Sequence, residues 1–144
     1  ETADDFSDVV NKVVSFSGRA LLLFPCDESI ALEQAVEHDN HHFSTMEQEQ
    51  LLIVIDGTWR KALKIYKQNS WLQTLQAYHF SQPLSSNYYI RRSDLEYGVS
   101  TLEAVAYYLE LIENINTRPL LKLFDFMQQQ QTKLMPEAVR QRYR

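Results

Sequence analysis

One cysteine, three glycines and no long apolar run set the first bounds on this 144-residue chain. Cys26 has no partner for an internal disulfide and is too little for a zinc cluster, so a disulfide-stapled scaffold and a cysteine-rich metal module are both excluded. The apolar run from Ala20 to Phe24 falls far short of the roughly 20 residues that a membrane span requires. Scarce glycine leaves neither a G-x-G-x-x-G nor a phosphate loop, which disfavours an ordinary nucleotide or dinucleotide fold. A basic leader is also missing, because Glu1 to Phe6 is acidic. These absences fit a protein of the reducing cytoplasm. Glu1 is not an initiator methionine, so the expectation is a chain that begins inside a longer protein.

An excess of positive charge is lacking too. The net charge is −5 and the isoelectric point is about 5.3, which argues against a general nucleic-acid coat protein. The charge is nonetheless uneven. Acidic residues crowd the start and the stretch from Glu28 to Glu49, and basic ones gather at Arg60-Lys61, Lys64, Lys67, Arg91-Arg92 and the tail Arg140, Arg142, Arg144. With 44% hydrophobic and 23% charged residues, the rest reads as one ordinary globular domain.

Arg19 to Pro25 reads as a short buried strand stopped by its proline, and Asp27 is placed to cap a helix over Glu28 to Glu37. His38 to Gln48 reads as a polar surface loop. Its His38, His41 and His42 invite a metal reading, but adjacent loop histidines have no fixed geometry and no thiolate partner, so no metal site is expected. Leu51 to Ile55 is a second continuous apolar strand, of the kind that suits a parallel sheet covered on both faces. Thr58 caps a helix from Trp59 to Lys67, whose Trp59, Ala62, Leu63 and Tyr66 fall on one face. Gln76 to Phe80 and Asn87 to Arg92 are further strand candidates. Ser100 and Glu103 form a capping box ahead of a helix striped by Leu102, Val105, Ala106, Leu109 and Ile112. A last helix is expected from Pro119 to Gln131, with Leu120, Leu123, Phe124 and Met127 facing inward. Strands alternating with helices make the class α/β, with a mostly parallel sheet flanked by helices.

Three segments share one shape, an extended run ending in a polar or glycine-bearing loop before a helix start. They are Leu23 to Asp27, Ile55 to Trp59, and Arg91 through Gly98 to Thr101. Ligands of open α/β sheets sit beyond the carboxyl ends of strands, where such loops meet helix N-termini. Asp56 stands out, because it follows five apolar residues where desolvation and a helix terminus can tune a carboxylate. Gly57 permits a tight turn or the close approach of a ligand. Capping by Asp56 and Thr58 and core packing by Trp59 account for the same spacing equally well. Tyr88 and Tyr89 alternate across a strand, as do Arg91 and Arg92, which suits a base stack and a phosphate or carboxylate contact.

Four ordered blocks carry a more specific signal: LLLFPCDES (Leu21 to Ser29), LLIVIDGTWRKA (Leu51 to Ala62), SNYYIRR (Ser86 to Arg92) and GVSTLEAVA (Gly98 to Ala106). With the weaker FDFMQQQ (Phe124 to Gln130), they resemble the DTW-domain family over Ala20 to Gln130. The resemblance implies a single DTW domain across residues 1–144 with a SPOUT-like, knotted α/β fold. It lacks the cysteine-rich segment and the asparagine-threonine motif that the family carries ahead of the first block. It also implies a tRNA-uridine aminocarboxypropyltransferase, which moves the 3-amino-3-carboxypropyl group of S-adenosylmethionine to N3 of a uridine and releases 5′-methylthioadenosine. tRNA is then the partner, with neither metal nor membrane involved. On this reading Asp56 is catalytic, and Phe24, Pro25, Asp56, Gly57, Thr58, Ser100 and Thr101 surround the cofactor. Trp59, Tyr89, Arg91 and Arg92 meet the RNA, Arg91 serving either a phosphate or the cofactor carboxylate. The alternatives are an inactive RNA-binding or scaffold domain, a methyltransferase using the same cofactor, and a small-molecule enzyme using it.

Overall fold

The computed structural model describes residues 6–38, 49–81 and 100–137. The candidate strand Asn87 to Arg92, the histidines His41 and His42, and the arginine tail lie outside those residues, as do Tyr89, Arg91 and Arg92. The chain divides into two compact units between Ser81 and Gln82.

The first unit opens with helix α1 (Ser7–Ser15) and carries a four-stranded sheet of β1 (Arg19–Leu23), β2 (Ile30–Ala31), β3 (Gln50–Val54) and β4 (Gln76–His79). Its order is β2-β4-β1-β3 and every pairing is parallel. Parallel neighbours need long crossovers, and helices supply them. Helix α2 (Leu32–His38) precedes β3, while α3 (Trp59–Gln68) and α4 (Ser70–Gln73) lie between β3 and β4. Central β1 explains its own sequence: Leu21 and Leu22 are fully buried because the strand is covered on both faces. Leu23 sits level with Val54 on one side and with Tyr78 on the other, so β1, β3 and β4 finish at one sheet end.

Side chains alternate across a strand, so Leu22, Phe24 and Ala77 share a face. They pack with Ala62, Ile65 and Leu72 into the core of this unit. The stripe expected on α3 is shifted as a result. Ala62 and Ile65 are its buried residues, and Trp59 is 42% exposed. Thr58 caps the helix as expected, accepting a hydrogen bond from the Lys61 amide at 3.4 Å.

Two expectations fail here. Asp27 caps no helix; residues 27–28 form a turn, and the chain adds the two-residue strand β2 before α2 begins at Leu32. Ser29 makes that turn instead, as its hydroxyl donates to the Cys26 carbonyl at 2.6 Å and accepts from the Cys26 amide at 3.1 Å. His38 is the last residue of α2 rather than the first of a loop. The sequence reading also missed α1, which has no side-chain cap and is built on β-branched valines, poor local signals for a helix.

The second unit contains α5 (Thr101–Glu113) and α6 (Arg118–Leu134). Ser100 and Glu103 form the expected capping box, and Asn114 ends α5 in the left-handed conformation at φ 51°. Buried Thr117 ties the turn back to α5 by donating its hydroxyl to Glu110 at 2.7 Å. Pro119 lies in the first turn of α6, as expected. The inward face of that helix differs from the expected one. Leu123 and Met127 are 56% and 50% exposed, while Gln128 is buried. Apolar residues wrap most of the way around α6, so packing rather than periodicity chose the buried face. No helix among the described residues is long and apolar enough to cross a membrane.

Candidate functional site

The shared end of β1, β3 and β4 gathers the loops that follow them. Phe24 continues β1, its amide donating to the Tyr78 carbonyl at 2.9 Å, and Pro25 comes next, exposed. Ile55, Asp56, Gly57 and Thr58 leave β3 and enter α3. Both loops end on the side of the sheet that α3 covers.

Aromatic stacking joins them. Trp59 and Tyr66 are two turns apart on α3, about 10.5 Å along the axis. The ring of Phe24 fits between, 5.3 Å from Trp59 with an 11° interplanar angle and 4.7 Å from Tyr66 with 28°. Phe24 is 4% exposed, so the inner members of the stack are structural and Trp59 offers the outer face. Trp59 therefore does both things that spacing alone left open: it packs on the core and presents an aromatic surface at the sheet end.

Tyr66 is a packing ring and no base. Its pKa is pushed up to about 12, first by a hydrogen bond with the Cys26 thiol, then by burial and by negative charge at Cys26, Glu28 and Asp27. Cys26 and Tyr66 also line a shallow depression of about 220 Å³ with Glu28, Gln73 and Gln76. Asp56 lies exposed, as do Gly57 and Thr58, so the desolvation that five apolar predecessors suggested is absent. Among the described residues no group of three or more His, Cys, Asp and Glu side chains is placed to hold a metal ion.

The DTW domain matches residues 3–132. The chain belongs to the DTW-domain family. It is similar to tRNA-uridine aminocarboxypropyltransferase 2 of Macaca fascicularis, at 32% identity over 115 residues, covering 76% of this chain and 37% of that protein. The protein of the same name from Drosophila melanogaster is 34% identical over 106 residues, covering 74% and 38%, and that from Mus musculus 30% identical over 128 residues, covering 85% and 41%. The chain thus spans about two-fifths of the length of the curated relatives it matches. No solved structure matches it.

Within this DTW domain, the structure brings Phe24, Pro25, Asp56, Gly57, Thr58 and Trp59 to one sheet end. Ser100 and Thr101 belong to the second unit, where they open α5. There the Ser100 hydroxyl is engaged with Glu103, accepting from its amide at 3.2 Å and donating to its carboxylate at 2.8 Å. Gly57 is explained by its backbone, for its φ of 143° is one that L side chains rarely adopt. A Gly57→Ala variant is expected to lose about 1–3 kcal/mol in urea denaturation. Unchanged stability would show that the loop relaxes to an ordinary conformation.

One residue escaped the sequence reading. His79, the last residue of β4, shares a face with Ala77, and its Nδ1 lies 2.9 Å from the Ser29 hydroxyl. The pair is 50 residues apart in sequence, and a lone histidine in a five-residue strand candidate carries no local signal of it.

Proposed function

We propose that this DTW domain transfers the 3-amino-3-carboxypropyl group of S-adenosylmethionine to N3 of a tRNA uridine, releasing 5′-methylthioadenosine. The observation that carries this reading is the Asp56-Gly57-Thr58-Trp59 block at the carboxyl end of a parallel sheet, in a chain of this family. The names of its relatives supply the reaction class.

The residues present fit such a donor. Trp59 offers an exposed ring against which a flat heterocycle stacks, and exposed Gly57 and Thr58 lie beside it in the chain. When bound, S-adenosylmethionine supplies an electrophilic Cγ next to a good leaving group, so the chain has no need of a covalent intermediate. Its task is positioning: Pro25, Gly57 and Thr58 hold the donor with Cγ rather than the methyl toward uridine N3, and buried Phe24 backs the Trp59 ring from behind. Asp56, exposed at the same end, acts on the uridine by accepting its N3 proton or by holding the ring in line. Tyr89, Arg91 and Arg92, which lie outside the described residues, contact the RNA in this proposal. A cytoplasmic location, a single domain and a SPOUT-like knotted closure of the sheet belong to the same reading.

Incubating the full-length protein with unmodified tRNA and labelled S-adenosylmethionine tests it. The expected by-product is methylthioadenosine, with Asp56→Ala slowing its release by about 100-fold or more. S-adenosylhomocysteine would instead make the protein a methyltransferase. Turnover without RNA would make it a small-molecule enzyme, and no turnover with no cofactor-dependent gain in stability would make it a binding domain. A wild-type rate from Asp56→Ala would remove Asp56 from the mechanism.

A further inference from the structure

His79 ends β4 at the same sheet end as the Asp56 loop, on the face that carries Phe24. Its surroundings set which of its nitrogens holds the proton. A serine hydroxyl has one proton to donate and two lone pairs to accept with. The Ser29 proton goes to the Cys26 carbonyl, at 2.6 Å the shortest of its three contacts. One lone pair takes the Cys26 amide at 3.1 Å, leaving the other for His79 Nδ1 at 2.9 Å. That last contact is a hydrogen bond only if Nδ1 carries the proton. Neutral His79 is therefore held as the Nδ1–H tautomer, with the lone pair on Nε2. Nε2 has no partner among the described residues, and His79 is only partly buried. The same arithmetic makes Ser29 a poor nucleophile, because its proton and both lone pairs are engaged.

Resting on the transfer reaction proposed above, we infer that His79 Nε2 is the acceptor of the uridine N3 proton. As N3 attacks, the N3–Cγ bond forms and the Cγ–S bond breaks with its electron pair going to sulfur. The N3 proton moves to Nε2 and from there to water, so charge and atoms balance without a further reactant. Ser29 fixes the imidazole, and Asp56 keeps the role of holding the uridine ring.

The test is a His79→Asn variant of the full-length protein. The asparagine amide still donates to Ser29 from near the Nδ1 position but offers nothing where Nε2 stood. The expected result is an unchanged urea midpoint, a kcat for methylthioadenosine release reduced about 100-fold or more, and a KM for S-adenosylmethionine within about twofold of wild type. A wild-type kcat from His79→Asn, while the wild-type protein turns over, overturns the role of His79 and leaves the reaction standing. Failure of the wild-type protein itself to release methylthioadenosine ends the reaction first and this inference with it. Independently of activity, the nitrogen shifts of the imidazole should report a protonated Nδ1 and an unprotonated Nε2 in the neutral ring; the opposite tautomer overturns the assignment.

Discussion

Replacing Phe24 by alanine is expected to cost about 3–5 kcal/mol, a large share of the roughly 5–15 kcal/mol that holds a domain of this size together. Phe24 is 4% exposed and belongs to the core with Leu22, Ala62, Ile65, Leu72 and Ala77, so its removal opens a cavity that β1 and α3 cannot close without moving. It also removes the ring between Trp59 and Tyr66, which leaves Trp59 with nothing to stack on. Phe24→Leu separates the two effects. It keeps most of the buried volume and loses the stacking, so about 0.5–1.5 kcal/mol is expected. Urea denaturation of both variants measures the difference. A Phe24→Leu variant as stable as wild type would mean that the stack adds nothing beyond buried area, and Trp59 would then be held by other contacts.

Gly18→Ala should be nearly as damaging, at about 2–4 kcal/mol, although it adds a single methyl group. A Cβ at Gly18 would collide with the Glu49 carbonyl oxygen and lie 2.8–2.9 Å from the Phe16 ring. That carbonyl accepts the Arg19 amide at 3.0 Å, the contact that starts the register Arg19↔Gln50, Ala20↔Leu51 between β1 and β3. The backbone oxygen cannot rotate out of the way as a side chain would. The variant has to separate the strands where their pairing begins, or shift the whole ladder. Amide hydrogen exchange at Arg19 and the urea midpoint read this directly. Exchange and stability like wild type would show that the Phe16 to Gly18 turn has room that its geometry denies.

Much of this molecule is local information. β1 and β3 follow from short apolar runs, β4 from a short strand candidate, and α3 and α5 from a cap followed by a period of about 3.6 residues; each rests on residues within a few positions of one another. The four blocks that carry the family resemblance are local in the same sense, so the Asp56 to Trp59 loop was legible as a candidate site. The failures have a common cause. Asp27 looked like a cap because the sequence does not disclose that β2 will pair with β4, and α6 carried apolar residues on two faces of which packing buried one.

The sequence by itself determined the α/β class, the order of the main elements and the family. Tertiary structure alone decided which aromatic ring faces outward, why Gly57 must be glycine, and that His79 meets Ser29. Those are contacts between strands brought side by side by parallel crossovers. A parallel sheet sets residues dozens of positions apart at one end, where no local pattern announces them.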